Sequence, residues 1–205
     1  MKKQLLTALI ATGLCVPALA QSPAAEGNWM VRVRAVNIDT ANKADAIPAL
    51  SLGKDEVEVS DKVIPEVDIS YFFTPHIAAE LVLTYPQEHD VKVAGGDIGS
   101  VEELPPTLLL QYHFNPAGKF RPYVGVGVNY TLFTNDELAM GLKTENDSVG
   151  LALQVGMDVK LADQWFLNVD VKKIKMGTDV ELNGARLTHI DIDPWLVGVG
   201  LGYRF

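Results

Sequence analysis

Four histidines, His76, His89, His113 and His189, are the side chains whose ordinary pKa suits acid–base work near neutral pH, and they are scattered along the chain. A histidine base needs a nucleophile beside it, yet no serine stands in a G-x-S-x-G elbow and the one cysteine, Cys15, lies in an apolar stretch near the start. His189, Asp191 and Asp193 share one face of a strand if that segment is extended. One imidazole and two carboxylates at i, i+2 and i+4 are a weak metal-ligand pattern, and the reading adopted is a polar strand at the rim of a barrel. Gly125-Val126-Gly127 looks like the start of a dinucleotide-binding loop, but the third glycine and the helix are missing. Small residues facing a tight interior explain it. Neither an enzyme, nor a metal, nor a cofactor is expected.

The elements that position these residues follow from composition and pattern. The chain has 205 residues, is 48% hydrophobic and 21% charged, and carries a formal charge of −9. It is long enough for one domain with a core, which excludes global disorder, and its acidity argues against a nucleic-acid partner. Lys2 and Lys3 precede an apolar run from Leu5 to Val16, and Ala18-Leu19-Ala20 forms a small-x-small site before Gln21. This is the layout of a secretory signal peptide over residues 1–20, leaving residues 21–205 as one barrel domain without cysteine. Leu14 is too large for the residue that precedes a lipidated cysteine, so Cys15 is expected to leave with the leader. No later stretch approaches the roughly 18 consecutive apolar residues of a membrane helix. An exported soluble barrel or an outer-membrane barrel remains.

Period-2 alternation recurs eight times. It runs through Trp29, Val31, Val33, Ala35; Val67, Ile69, Tyr71, Phe73; Ile77 to Tyr85; Leu108 to Phe114; Val124 to Leu132; Val149 to Leu161; Trp165 to Val171; and Trp195 to Phe205. The phase blurs at Ile174 and Met176, where a bulge is expected. Connections alternate between short ones, near 74–76, 115–120 and 162–164, and long ones, near 40–62, 87–105, 134–148 and 175–190. The fold expected is all-β: an eight-stranded antiparallel up-and-down transmembrane β-barrel.

Alternation by itself also suits a water-soluble barrel with an apolar interior. The content of the two faces favours lipid outside. The apolar face carries aromatics near strand ends, as an interfacial girdle does, while the other mixes glycine, amides and ions, as a narrow filled lumen does. Arg32, Arg34, Lys160, Lys172 and Arg204 point inward with Glu66, Asp68, Glu80, Asp158 and Asp170, and this even balance predicts paired structural networks in preference to an ion-selective pore. The first three long connections hold fourteen acids against five lysines. In an outer membrane they stand among lipopolysaccharide, and divalent cations bridging them to its anionic sugars are one reading, solvated loop charge the other.

Leu104-Pro105-Pro106-Thr107-Leu108, Gln111-Tyr112-His113-Phe114, Phe120-Arg121-Pro122-Tyr123 continuing to Thr131, Gln154-Val155-Gly156, Asp193-Pro194-Trp195 and the closing Gly202-Tyr203-Arg204-Phe205 together resemble the OmpW family, in order and over essentially all of residues 21–205. The resemblance implies an OmpW/AlkL-like barrel of the bacterial cell outer membrane, with a hydrophobic lumen, a lateral exit into the bilayer and a role in uptake of small hydrophobic molecules. Eight strands leave no open aqueous channel, so transit needs a side door. Pro65 and Pro86 each remove a ladder donor at the second and third strands, and Met30, Phe72, Val82, Leu109 and Leu196 are inward apolar residues a solute would contact. Tyr203 and Phe205 form the aromatic C-terminal edge expected to pair with the barrel assembly machinery. The alternative is a structural or adhesive barrel that acts through its acidic loops without transport.

Overall fold

Valine, leucine and aromatic residues at every second position favour the pleated strand, because alternate side chains then reach one continuous surface. The computed structural model describes residues 26–40, 43–44, 53, 57–59, 61–93, 96–138, 142–144, 147–182 and 185–205. The leader expected over residues 1–20 lies outside the described residues, as do Asp45, Asp55, Glu56 and Glu145 of the acidic connections.

Eight long strands form the wall: β1 (Trp29–Asp39), β4 (Lys62–Phe72), β5 (Ile77–Thr84), β8 (Thr107–His113), β9 (Phe120–Leu138), β11 (Asp147–Lys160), β12 (Trp165–Ile174) and β15 (Trp195–Arg204). Each pairs antiparallel with the next, and β15 returns to β1 with Val33 opposite Leu201, so the barrel is closed and up-and-down. Short turns after β4, β8 and β11 gather at the same end as residues 26–28 and Phe205, whose backbone exchanges two hydrogen bonds with Trp29. That is the periplasmic end by the rule that outer-membrane barrels keep their short turns there. Ten residues of β15, at about 3.3 Å each and tilted about 40°, give a wall of about 25 Å, the height of the apolar band.

The orientation of the faces decides the solvent. Val126, Leu153 and Val199 are 54%, 59% and 53% exposed on the outside, whereas Arg32, Asp68, Glu80 and Asp170 are fully buried within. An outer surface of valine and leucine on every wall strand is stable only against hydrocarbon. Edge-to-face aromatic pairs ring the periplasmic end, Trp29 with Tyr71 at 4.8 Å, Tyr112 with Phe114 at 5.1 Å and Trp165 with Tyr203 at 5.0 Å, and Tyr85, Tyr130 and Trp195 mark the other rim.

All four long connections carry strands. β6 (Gln87–Val93) and β7 (Gly96–Leu104) form a hairpin that β7 docks on the long β9, and β3 (Val57–Val59) pairs with β6. A separate sheet joins β10 (Leu142–Thr144), β13 (Gly177–Leu182), β14 (Ala185–Asp191) and β2 (Lys43–Ala44). Their alternation is real, with Gln87, His89 and Val91 buried against outward Glu88, Asp90 and Lys92. It is disguised because outward residues above the membrane meet water instead of lipid, so the face that was apolar lower down becomes charged. At the expected bulge, inward burial continues through Ile174 and Met176 and the β12 ladder is regular as far as Ile174; the irregularity lies just beyond it, where the Met176 carbonyl accepts from both the Ile192 and the Asp193 N–H and Asp193 has a positive φ of 34°.

Candidate functional site

Inward residues, followed upward from the periplasmic end, change character in three layers. On β1 they are Met30, then Arg32 and Arg34, then Val36 and Ile38; on β12 they are Phe166, then Asn168, Asp170 and Lys172, then Ile174; on β4 they are Phe72, then Ser70, Asp68 and Glu66, then Ile64. Antiparallel registry brings like to like, since Arg32 lies opposite Asp68 and Arg34 opposite Glu66.

The middle layer is a polar plug. Arg32 binds Asp158 through both carboxylate oxygens, Nε to Oδ1 at 3.0 Å and Nη2 to Oδ2 at 2.7 Å, while Nη1 donates to Asp68, Ser70 and Glu80 at 3.0, 2.8 and 3.0 Å. Arg34 meets Glu66 at 2.9 Å, Asp68 at 2.5 Å and Asp170 at 3.3 Å. Lys172 bridges Glu66 and Asp170 at 2.9 and 2.7 Å. Gln154 Nε2 donates to Glu80 and Asp170, Gln111 Nε2 donates to Gln154, and the Tyr123 hydroxyl donates to Asp170 at 2.9 Å. The glycines opposite make room for this layer. A Cβ on Gly156 would fall 2.3 Å from the Tyr123 hydroxyl. His113 sits in the same layer with its ring 3.2 Å from Gln111 Oε1.

The even inward balance expected from the sequence is therefore partitioned. Lys160 and Arg204 leave the plug for a separate cluster with Glu26 and Arg121 at the periplasmic mouth. The plug itself holds Arg32, Arg34 and Lys172 against Glu66, Asp68, Glu80, Asp158 and Asp170, three cations to five carboxylates. Glu26 and Arg121 escaped the sequence reading because Glu26 precedes the first strand and Arg121 follows a turn, so neither had a phase to assign it.

Above the plug the lumen is apolar. Val82, Leu109 and Leu196 join Val36, Ile38, Ile64, Val101, Phe133, Ile174 and Met176 in one buried cluster. Met30 and Phe72 do not join it; with Ala78 and Phe166 they form a second cluster below the ions. The five inward apolar residues marked in the sequence thus fall into two chambers with the plug between them.

On one side of the upper chamber two wall ladders end early. The β4–β5 ladder ends at Glu66 opposite Thr84, and the next two positions across the gap are Pro65 and Tyr85, followed by Pro86. On its other flank β5 pairs with β8 only as far as Val82 opposite Thr107, beyond which Pro105 and Pro106 interrupt the strand. Proline has no N–H to offer a ladder, and the β4–β5 ladder stops beside Pro65 and Pro86 while the β5–β8 ladder stops beside Pro105 and Pro106. Among the described hydrogen bonds, Lys62 Nζ to the Glu88 carbonyl at 2.7 Å spans the gap between β4 and β6.

At the outer rim a cleft of about 460 Å³ lies between β11 and β13, bordered by Asp147, Lys175, His189, Asp191 and Asp193. His189 Nδ1 contacts Asp179 at 2.5 Å, and the Asp193 carboxylate is taken by Lys175 and by the Met176 N–H. Among the described residues no group of three or more histidines and acids is placed to hold a metal.

A profile of the OmpW family matches residues 25–205. Outer membrane protein W of Vibrio cholerae is 34% identical over 198 residues, 88% of this chain and 89% of the relative. The crystal structure of the outer membrane protein OprG from Pseudomonas aeruginosa superposes with a TM-score of 0.75 at 29% identity, covering 88% of this chain and 97% of that one. The solid-state NMR structure of outer membrane protein AlkL in DMPC lipid bilayers gives a TM-score of 0.72 at 26% identity, covering 93% and 95%.

Proposed function

The chain belongs to the OmpW family of bacterial outer-membrane barrels, which are not enzymes, and on that premise we propose that it is a passive conduit for small hydrophobic molecules that leave sideways into the bilayer. The observation that carries this reading is the position of the ionic plug, directly below an apolar chamber beside which the β4–β5 ladder ends at Glu66 and Thr84, next to Pro65 and Pro86. An apolar solute in that chamber meets Val82, Leu109 and Leu196 but cannot descend, because crossing the plug means separating buried ion pairs, at a cost of about 3–5 kcal/mol for each one broken. Lipid beside that ladder end offers the solute the same apolar environment with no such barrier. Met30 and Phe72, beneath the plug, stand outside this route. Axial flow of polar solutes is opposed by the same barrier.

Uptake of a hydrophobic fluorescent tracer by cells expressing the protein tests the proposal. Tracer accumulation should exceed that of cells lacking the barrel. It should fall several-fold when cysteines at positions 65 and 86 are joined by a short bismaleimide, and change in Pro86→Ala, where a donor is restored to the ladder. Unaltered flux in both variants would reject the side exit. Equal tracer entry with and without the barrel would reject transport altogether and leave the structural or adhesive reading.

A further inference from the structure

At the periplasmic mouth three cations converge on one carboxylate. Arg121 grips Glu26 with both ends of its guanidinium, Nη1 to Oε2 at 2.5 Å and Nη2 to Oε1 at 2.9 Å; Lys160 Nζ reaches Oε1 at 2.6 Å; and Arg204 Nη1 stands 3.5 Å from Oε2. Both guanidiniums are buried and fixed by other contacts. Arg204 lies 3.8 Å over the Phe72 ring and donates Nε to the Gly27 carbonyl, and Arg121 lies over Phe166 and donates Nε to the Gly118 carbonyl. A cavity of about 290 Å³, framed by Pro75, Pro116 and Ala117 of the turns, opens onto all three cations.

We propose that this mouth is a binding site for a phosphate-like dianion in the periplasm, and that Glu26 is its tethered internal occupant. One carboxylate against three cations leaves two positive charges facing the cavity, the number a phosphate dianion neutralises. Rigid guanidinium forks beside a mobile ammonium are the donors that recognise phosphate oxygens. A purely structural ion pair needs one cation for Glu26 and leaves no room beside it; here three are held ready around a space. The Glu26 carboxyl shows how strongly the site favours an anion: burial pushes its pKa up, yet hydrogen bonds from Arg121 and Lys160 outweigh that and hold it at about 2. The proposal does not depend on the transport route above the plug.

The test uses the full chain refolded in a phosphate-free maltoside micelle, titrated with inorganic phosphate at constant ionic strength and followed by calorimetry and phosphorus NMR line width. Saturable binding is expected, about ten-fold tighter in Glu26→Gln, where the internal competitor has lost its charge, and at least ten-fold weaker in Lys160→Gln. Lys160 is partly exposed, so that variant folds, and the heat-modifiable shift of the barrel on a gel verifies it. Dimethyl phosphate, the monoanionic diester of a lipid headgroup, should bind at least ten-fold more weakly than phosphate. Binding of the diester as tight as that of phosphate would assign the site to lipid and overturn the dianion. No saturation in Glu26→Gln, or unchanged affinity in Lys160→Gln, would overturn the site itself.

Discussion

Replacing Arg32 by methionine keeps most of the side-chain volume and removes the charge that ties four strands together. In the native barrel that guanidinium makes five hydrogen bonds, to Asp158 twice and to Asp68, Ser70 and Glu80 once each, with no exposure to water. The partners do not lose equally. Asp68 and Glu80 keep Arg34, whereas Asp158, among the described residues, keeps the Asn168 amide at 2.8 Å and no cation. The plug also goes from three cations against five carboxylates to two against five. Leaving a buried carboxylate without its partner costs about 3–5 kcal/mol, and with a denaturant slope of about 2 kcal/mol/M the unfolding midpoint should fall by about 2 M. Urea titration of the barrel in lipid vesicles, followed by Trp29, Trp165 and Trp195 emission, reads this directly. Adding Asp158→Asn should recover about half of the loss, because it removes the carboxylate most dependent on Arg32. A midpoint shift below about 0.5 M for Arg32→Met, or a double variant no better than the single one, would refute the claim that this layer is held by charge pairing.

Val126 lies on the outer face of β9, 54% exposed on the part of the strand that pairs with β8, and Val126→Arg should destabilise the folded barrel by about 2–4 kcal/mol in the same assay. Gly156→Ala places a methyl group against the Tyr123 ring and hydroxyl, pushing the hydroxyl from Asp170; a loss of about 1–3 kcal/mol is expected, reduced but not abolished when Tyr123→Phe is already present, because the ring carbon Cζ lies as close to the new methyl as the hydroxyl does. Because the folded pKa of Glu26 is depressed, its contribution is complete above the ordinary value of 4.5 and is lost as pH falls through 2, so the stability difference between wild type and Glu26→Gln should be flat from pH 8 to 5 and shrink below that. Deleting Phe205, which with Tyr203 forms the aromatic terminal edge, should lower the amount of barrel assembled in cells more than it lowers the stability of refolded protein in detergent.

The eight wall strands, their closed up-and-down order and the lipid-facing side were legible from the sequence, because every one of them follows from a local rule. Period-2 alternation marks each strand, the length of each connection marks its end of the barrel, and aromatics mark the interfaces, as Trp29, Tyr85 and Trp195 illustrate. The inward residues were also identifiable one by one, since phase alone assigns Arg32, Glu80 and Leu109 to the lumen. What phase cannot supply is height. Whether Lys160 joins Lys172 in the plug or Glu26 at the mouth depends on the stagger between neighbouring strands, which is set by ladders such as Arg32 with Asp68 and Gln154 with Lys172. Stagger sorts the same inward residues into an apolar floor, an ionic plug and an apolar chamber, and it ends the β4–β5 ladder at Glu66 and Thr84, next to Pro65. The strands within 87–104 and 177–191 were hidden for a related reason: the medium outside them changes from lipid to water, and with it the residue types that mark an outward position. Sequence determined which way each side chain faces; only the tertiary structure decided which side chains meet, because facing is a property of one strand and meeting is a property of the registry among eight.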